Sequence, residues 1–381
     1  MKSHFRLTAM AAAIAAIVPS SWAAAQTQKP WIIGQVAPLT GPAATVGTRV
    51  DQSTQMWVNE VNAAGGIRGR KIELINCNDE NRPERAVACA REMIEKGAVI
   101  ILGNTLTASI RAIQPLTRQG PIFIIASPNI VPTADSFSFQ VSPSDEHITE
   151  SVAQFMKANG LAKIGMVAAT DASGEVGVES ARKVFPKSNI ELKVERIDLR
   201  ATDATTQLAS VAGKDVKIIY SSYSGGGAIA VVKGFKNLGL EQPLVVSYGN
   251  ISDAFVQLVK DVKPTRLLGT ALGGILPDTM KDSGEQARAR RFLEAYSKIH
   301  TERPDMLNIL GKLLTDTADA ILRHSPNPED FGKVKQWLET TPIESVHNQR
   351  FSPTNHVGVD ASSVVLVELK DNRWVVADPV K

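Results

Sequence analysis

Apolar positions along this 381-residue chain follow two alternating rhythms, short continuous runs and helical stripes. The first run, Trp31 to Ala37, reads as a buried strand. After the loop Pro38-Leu39-Thr40-Gly41-Pro42, a helical face is set by Val46, Val50, Thr54, Trp57, Val61 and Ala64. Gly65-Gly66 ends that helix, because glycine takes positive φ without steric cost. A strand follows at 71–78, then a helix opened by Pro83 and stopped by Gly97. Further strands are predicted at 98–102, 121–126 and 137–141, and a helix at 107–118. Past Ser142-Pro143-Ser144-Asp145 the alternation restarts. Helices are predicted around 148–156, at 173–185, 204–211, 226–238, 286–299, 306–323 and 328–338. Strands are predicted at 163–169, 190–199, 216–220, 244–247, 267–271, 364–369 and 374–377. Asp371-Asn372 supplies the turn between the last two.

Alternation on this scale predicts an α/β chain of parallel sheets with helices on both faces, and two tandem runs predict two doubly wound lobes. Ligands of such sheets bind outside the carboxyl ends of the strands. Functional residues are therefore expected in segments 38–46, 79–82, 103–107, 127–131, 170–175, 221–226 and 248–252.

Composition narrows the function. With 43% hydrophobic and 21% charged residues, the periodic chain is not disordered and is long enough for two cores. Its 42 Lys+Arg against 39 Asp+Glu give +3 without basic runs, so no nucleic-acid partner is expected. No apolar stretch reaches the ~18 residues of a spanning helix.

Residues 1–25 read as a secretory signal peptide. Lys2 and Arg6 give the positive start, Leu7 to Val18 the apolar run, Pro19 its break and Ala23-Ala24-Ala25 the cleavage site. The leader holds no cysteine for lipid attachment. The expectation is a soluble periplasmic protein. In that oxidising compartment Cys77 and Cys89 are most simply one disulfide, joining the end of a strand to the next helix; two buried thiols are the alternative.

Other chemistry finds little support. The histidines are scattered, so no metal site is expected. Gly225-Gly226-Gly227 lacks the dinucleotide spacing, and no phosphate-binding loop or nucleophile elbow occurs, so neither cofactor nor enzymatic activity is expected. Arg288, Arg290 and Arg291 share one helix, as a solvated face or as a docking patch for a membrane partner.

The segment Asn62-Ala-Ala-Gly-Gly-Ile-Arg-Gly-Arg-Lys71 resembles a signature of the leucine/isoleucine/valine-binding family of type I periplasmic binding proteins. So do Pro38-Leu39-Thr40-Gly41-Pro42, Asn78-Asp79, Pro83-Glu84-Arg85-Ala86-Val87, Leu102-Gly103-Asn104 and Ala126-Ser127-Pro128. The order holds from about 30 to 378. The resemblance implies the substrate-binding subunit of an ABC importer, a monomer that hands a small carboxylate to an inner-membrane permease. A periplasmic ligand sensor of the same fold is the alternative. It also implies a clamshell with a three-stranded hinge. One lobe would comprise 26–142 and 273–350, the other 143–272 and 351–381.

The resemblance places a carboxylate-binding hydroxyl at Thr107, beside Asn104 at a helix start. An ordinary helix cap is the competing reading of Thr107. Ser127 and Asn129 would offer donors to the same carboxylate, or form a plain turn at Pro128. Val46 stands where the family often has an aromatic, and Ser173 where a tyrosine often serves the amine. Tyr223 matches a family tyrosine, or packs as a loop aromatic on the helix from Gly226. Tyr248 stands where amino-acid binders commonly carry an acid for the ligand ammonium. An unpaired buried ammonium is costly, and Asp171 and Glu175 are the nearest replacement acids. The expected ligand is therefore a small carboxylate, either an amino acid or, in keeping with the missing acid, an aromatic, keto or other organic acid without the α-amine.

Overall fold

The computed structural model describes residues 28–41, 43–103, 105–198, 200–224 and 226–380. The leader at 1–25 lies outside them.

β1 (Trp31–Ala37) is buried at all seven positions, as a central strand covered on both faces must be. It is followed by α1 (Ala44–Ala63), β2 (Ile72–Asn78), α2 (Pro83–Glu95), β3 (Ile100–Gly103), α3 (Thr107–Ile113), β4 (Ile122–Ile125) and β5 (Ser138–Gln140). These strands form a parallel sheet of order β2-β1-β3-β4-β5. The predicted helix at 107–118 is shorter than expected. Pro115 offers no N–H, and residues Gln114–Thr117 tighten into a 3-10 turn.

The chain then enters a second sheet. α4 (Asp145–Ala158) leads to β6 (Lys163–Ala169), α5 (Ala172–Lys187), β7 (Glu191–Ile197), α6 (Thr205–Val211), β8 (Ile218–Ser222), α7 (Gly226–Asn237), β9 (Leu244–Val246), α8 (Asp253–Val259) and β10 (Leu267–Leu272). α8 falls where the sequence pattern predicts no element. α9 (Ser283–Ile299), α10 (Met306–His324) and α11 (Phe331–Thr340) follow, and α10 packs along α1. Close approach is required there: a Cβ at Gly311 would lie 2.7 Å from Ser53 Cβ and 2.8 Å from the Val50 carbonyl oxygen.

β11 (Val364–Lys370) and β12 (Arg373–Val376) complete the second sheet, whose order is β12-β11-β10-β9-β8-β6-β7. β11 runs antiparallel to both neighbours, so this parallel-dominated sheet ends in the expected turn-linked pair of strands. The turn at Asp371 and Asn372 takes positive φ at both residues, 47° and 56°.

The chain thus crosses between the sheets after β5, after β10 and before β11. Two crossings are tied together: Gln140 N–H donates to the His356 carbonyl at 2.8 Å, and Gly358 N–H to the Gln140 carbonyl at 2.8 Å. The His356 ring stacks on Phe139 and reaches the Ser138 carbonyl and Glu339. One apolar core is continuous from Trp31 and Ile33 of the first sheet to Tyr223, Tyr248 and Leu272 of the second.

Cys77 of β2 and Cys89 of α2 form a disulfide. Arg288 and Arg290 are engaged within the chain, the first at the Ser345 carbonyl and Asn348, the second at Asp278. No helix among the described residues is long and apolar enough to cross a membrane.

Candidate functional site

Construction of the site starts at the carboxyl ends of β1 and β2. Asn78 accepts from Leu39 N–H at 2.8 Å and donates to Thr40 Oγ1 at 2.7 Å, which fixes the Pro38–Gly41 loop. The loop then presses so close to α1 that a Cβ at Gly47 would lie 2.3 Å from the Pro38 carbonyl oxygen. Val46, on the first turn of α1, is half-buried against the shared core.

Next to it, Asp79 is fully buried and its carboxylate accepts from Ser109 Oγ at 2.5 Å. That bond anchors α3 to the end of β2. Leu106, in extended conformation, holds the cap position of α3 and makes no side-chain cap bond. Thr107 is one residue inside the helix, so the cap reading of Thr107 does not hold. Its Oγ1 lies 3.5 Å from Ser127 Oγ, and both residues are buried. They are brought together because β3 and β4 are adjacent, with Gly103 opposite Ile125. Asn129 N–H donates to Ser127 Oγ at 3.4 Å, and the Asn129 side chain is half-buried. Asn104 lies outside the described residues.

On the second sheet, Ser173 opens α5 and donates to Asp171 Oδ1 at 2.8 Å; the same oxygen accepts from Gly174 N–H at 2.9 Å. Asp171 is thus the cap of α5. Glu175 pairs with Arg196 at 2.7 Å. Of the two acids that could replace the missing counter-charge, Glu175 is therefore paired and Asp171 has one oxygen committed to the cap.

Tyr223 follows β8 and donates to the Asp198 carbonyl at 3.0 Å. Its ring lies over the start of α7: a Cβ at Gly227 would sit 1.8 Å from Tyr223 Cζ. Burial, then the charges of Asp171 and Asp198, push the phenol up to about 12. Tyr223 therefore lies near the Asp171–Ser173 turn as well as on α7. Asn250 Nδ2 donates to the Tyr223 carbonyl at 2.8 Å and ties this loop to the 3-10 turn Tyr248–Asn250. Tyr248 is 4% exposed, and its hydroxyl has no hydrogen-bond partner among the described residues. Burial drives its acidity far below the ordinary phenol, so it stays a donor.

The structure thus assembles two groups. Thr107, Ser127 and Asn129 cluster at the first sheet; Ser173, Tyr223 and Tyr248 gather at the second. They approach each other where α3 lies against α5 and where Asp145 N–H of α4 donates to the Pro128 carbonyl at 2.9 Å. Sequence spacing did not reveal Asp79, Ser109, Asn250 or Asp145 as supports, since each acts on a residue far along the chain. Asn78-Asp79 was visible as a motif, without its partner. Open recesses of the surface lie elsewhere, one at the amino ends of β8 and β9 beside Lys217 and Gln242, another beside Trp337.

The periplasmic binding protein family matches residues 30–373, and the chain belongs to that family. An amino acid binding protein of Pseudomonas aeruginosa is 21% identical over 332 residues, 84% of this chain and 85% of its own. A Leu/Ile/Val-binding protein homologue of Brucella abortus is 22% identical over 76% of this chain and 77% of its own. Among solved structures, a Rhodopseudomonas palustris protein superposes with a TM-score of 0.81 at 19% identity, covering 92% of this chain and all of that one. An ABC-transporter solute-binding protein of the same species, in complex with benzoate, gives 0.74 at 19% identity over 91% and 95%. The fold is that of type I periplasmic binding proteins, and Leu/Ile/Val-binding protein homologues are among the relatives.

Proposed function

We propose that this protein is a periplasmic receptor that captures a small organic acid by hinge closure and delivers it to an inner-membrane ABC permease. The lobes are 26–142 with 273–350 and 143–272 with 351–381, and residues 1–25 direct export as a cleavable leader. The receptor acts as a monomer. The observation that carries the reading is the buried hydroxyl pair of Thr107 and Ser127 at the carboxyl ends of adjacent strands. Two hydroxyl donors, neither used as a helix cap, suit a carboxylate.

The second sheet sets the other end of the ligand. With Glu175 paired to Arg196, Asp171 Oδ1 committed to the α5 cap and Tyr248 in the counter-charge position, an α-ammonium lacks the dedicated acid that amino-acid binders commonly carry. An aromatic or keto acid fits, and the benzoate complex of the R. palustris relative supports that class.

A thermal-shift screen of ligand-stripped protein tests this, with branched-chain amino acids, their keto acids, aromatic acids and short dicarboxylates. A ligand at one hundred times its dissociation constant adds about 2.7 kcal/mol. Organic acids are expected to shift the protein and aliphatic amino acids are not; the reverse pattern sinks the reading. In Thr107→Val the affinity for the best acid should fall about 10- to 100-fold with stability unchanged, since a hydrogen bond to a charged group is worth ~1.5–3 kcal/mol. Unchanged affinity would remove Thr107 from the site. Tyr248→Phe should leave the unliganded protein as stable or up to about 1 kcal/mol more stable, because it deletes an unpartnered buried hydroxyl. Ligands bearing an oxygen acceptor should lose about tenfold in affinity. Urea unfolding and calorimetry read the two effects, and a loss of stability would show that the hydroxyl has a partner inside the protein.

A further inference from the structure

Beyond the ligand site, a charged contact joins the two halves of the molecule. Arg303 Nε lies 3.6 Å from Asp253 Oδ2. Asp253 opens α8, and Phe255, Val256 and Val259 of that helix are buried in the core of the second sheet. Arg303 lies between α9 and α10, and α10 packs on α1 and β4 of the first sheet. The pair therefore links elements that belong to different sheets.

Both ends are flanked by capped helix starts. Pro304 holds the residue before it to extended backbone. Asp305, next in line, caps α10 with a reciprocal Asn308 bond and lies 3.5 Å from the buried Arg49. Arg49 donates in turn to Tyr296 at 2.9 Å, and Tyr296 to Gln52 at 2.6 Å. Asp253 is set by the Ser252 cap, which accepts from Phe255 N–H at 3.2 Å. Two long side chains usually lose entropy on pairing; here one partner is a short aspartate on a helix and the other precedes the capped start of α10. The surrounding charges, Glu302, Asp305 and Arg49, lie on the first-sheet side. Asp253 brings a negative charge close to Asp305, and Arg303 offsets it.

We propose that Arg303 and Asp253 form an interlobe clasp that biases the ligand-free protein toward the closed arrangement. The clasp rests on the hinge reading above and is independent of the ligand's identity. It raises apparent affinity by populating the binding-competent state before any ligand arrives. It also makes closure sensitive to ionic strength, because the pair is partly exposed at 54% and 32%.

The test uses spin labels at Lys96→Cys and Lys187→Cys, exposed positions at the carboxyl ends of α2 and α5. Electron–electron distance measurements on full-length, ligand-free protein then read the lobe separation. Arg303→Ala and Asp253→Ala should each lower the closed population about two- to fivefold. The exchange Arg303→Asp with Asp253→Arg should restore it, and 0.5 M salt should mimic the single substitutions in the unsubstituted protein. Two lobe separations whose populations ignore salt and substitution would overturn the clasp and leave the hinge. A single separation under every condition, with and without a binding acid from the screen, would remove the hinge as well. The salt titration needs no substitution at the pair, so a misfolded variant does not spare the proposal.

Discussion

Replacing Cys89 by alanine should lower the unfolding free energy by about 3 kcal/mol. The disulfide to Cys77 closes a loop of sequence separation 12, and the chain-entropy relation gives that figure for a loop of this size. Most of the effect acts on the unfolded chain, which regains freedom when the link is cut. The native contribution is smaller: Cys89 is 4% exposed and packs with Ala86, Ala90 and Met93 against β1, and alanine keeps part of that contact. Urea unfolding of the variant beside the unsubstituted protein, with and without reductant, reads it. Reductant should destabilise the unsubstituted protein by a similar amount and leave the variant unchanged. A variant as stable as the parent under oxidising conditions would show that the bond is not formed in solution.

Asp145→Asn should stabilise the protein at pH 7.5 by up to about 3 kcal/mol and hardly at all at pH 4. Asp145 is buried at the first turn of α4; burial pushes its carboxyl up to about 6, and the hydroxyls of Ser180 and Thr149 pull it partly back. The native state therefore holds a proton that the unfolded state has released, across the window from about pH 4 to 6. Stability is present below that window and is lost as pH rises through it, because stability falls wherever the native state binds more protons. Two units correspond to about 3 kcal/mol. Asparagine keeps the shape and deletes the charge. Asp305 titrates in the same window, since burial raises it to about 6 against the pull of Arg49, so its contribution to the slope remains in the variant. His347 slopes oppositely: burial lowers it to about 4, and its Nε2 accepts from Gly274 N–H at 3.0 Å, so it loses stability as pH falls from 6.5 to 4. Equal stabilisation at both pH values, or destabilisation at pH 7.5, would contradict the assignment.

Much of the fold was legible because the signals are local. Strand runs such as Trp31–Ala37 and Lys163–Ala169, and glycine stops such as Gly97 and Gly239, lie within a few residues of what they control. The exceptions share a cause. α8 is seven residues long, too short to display a period. The antiparallel sense of β11 depends on which strand it meets after a crossing. At the candidate site, strand-end position and the family resemblance pointed to Thr107 and Ser127 but could not say that Leu106 takes the cap position or that Tyr248 is left with an unpartnered hydroxyl. Asp79 with Ser109, Gln140 with His356 and Arg49 with Asp305 are matched across 30, 216 and 256 positions of chain, where no periodicity reaches. What was missed is the set of bonds that holds the loops still.

The late closure of the second sheet has a consequence for how the chain acquires its structure. β10 ends at Leu272, yet the strand beside it does not begin until Val364, and α10, which covers α1, lies between them. A chain that emerges amino end first therefore presents an uncovered helix until α10 appears and an open strand edge for longer still, until β11 appears. Truncations near the carboxyl terminus should cost far more than their length suggests, and a chaperone that guards exposed strand edges would have its work during that interval.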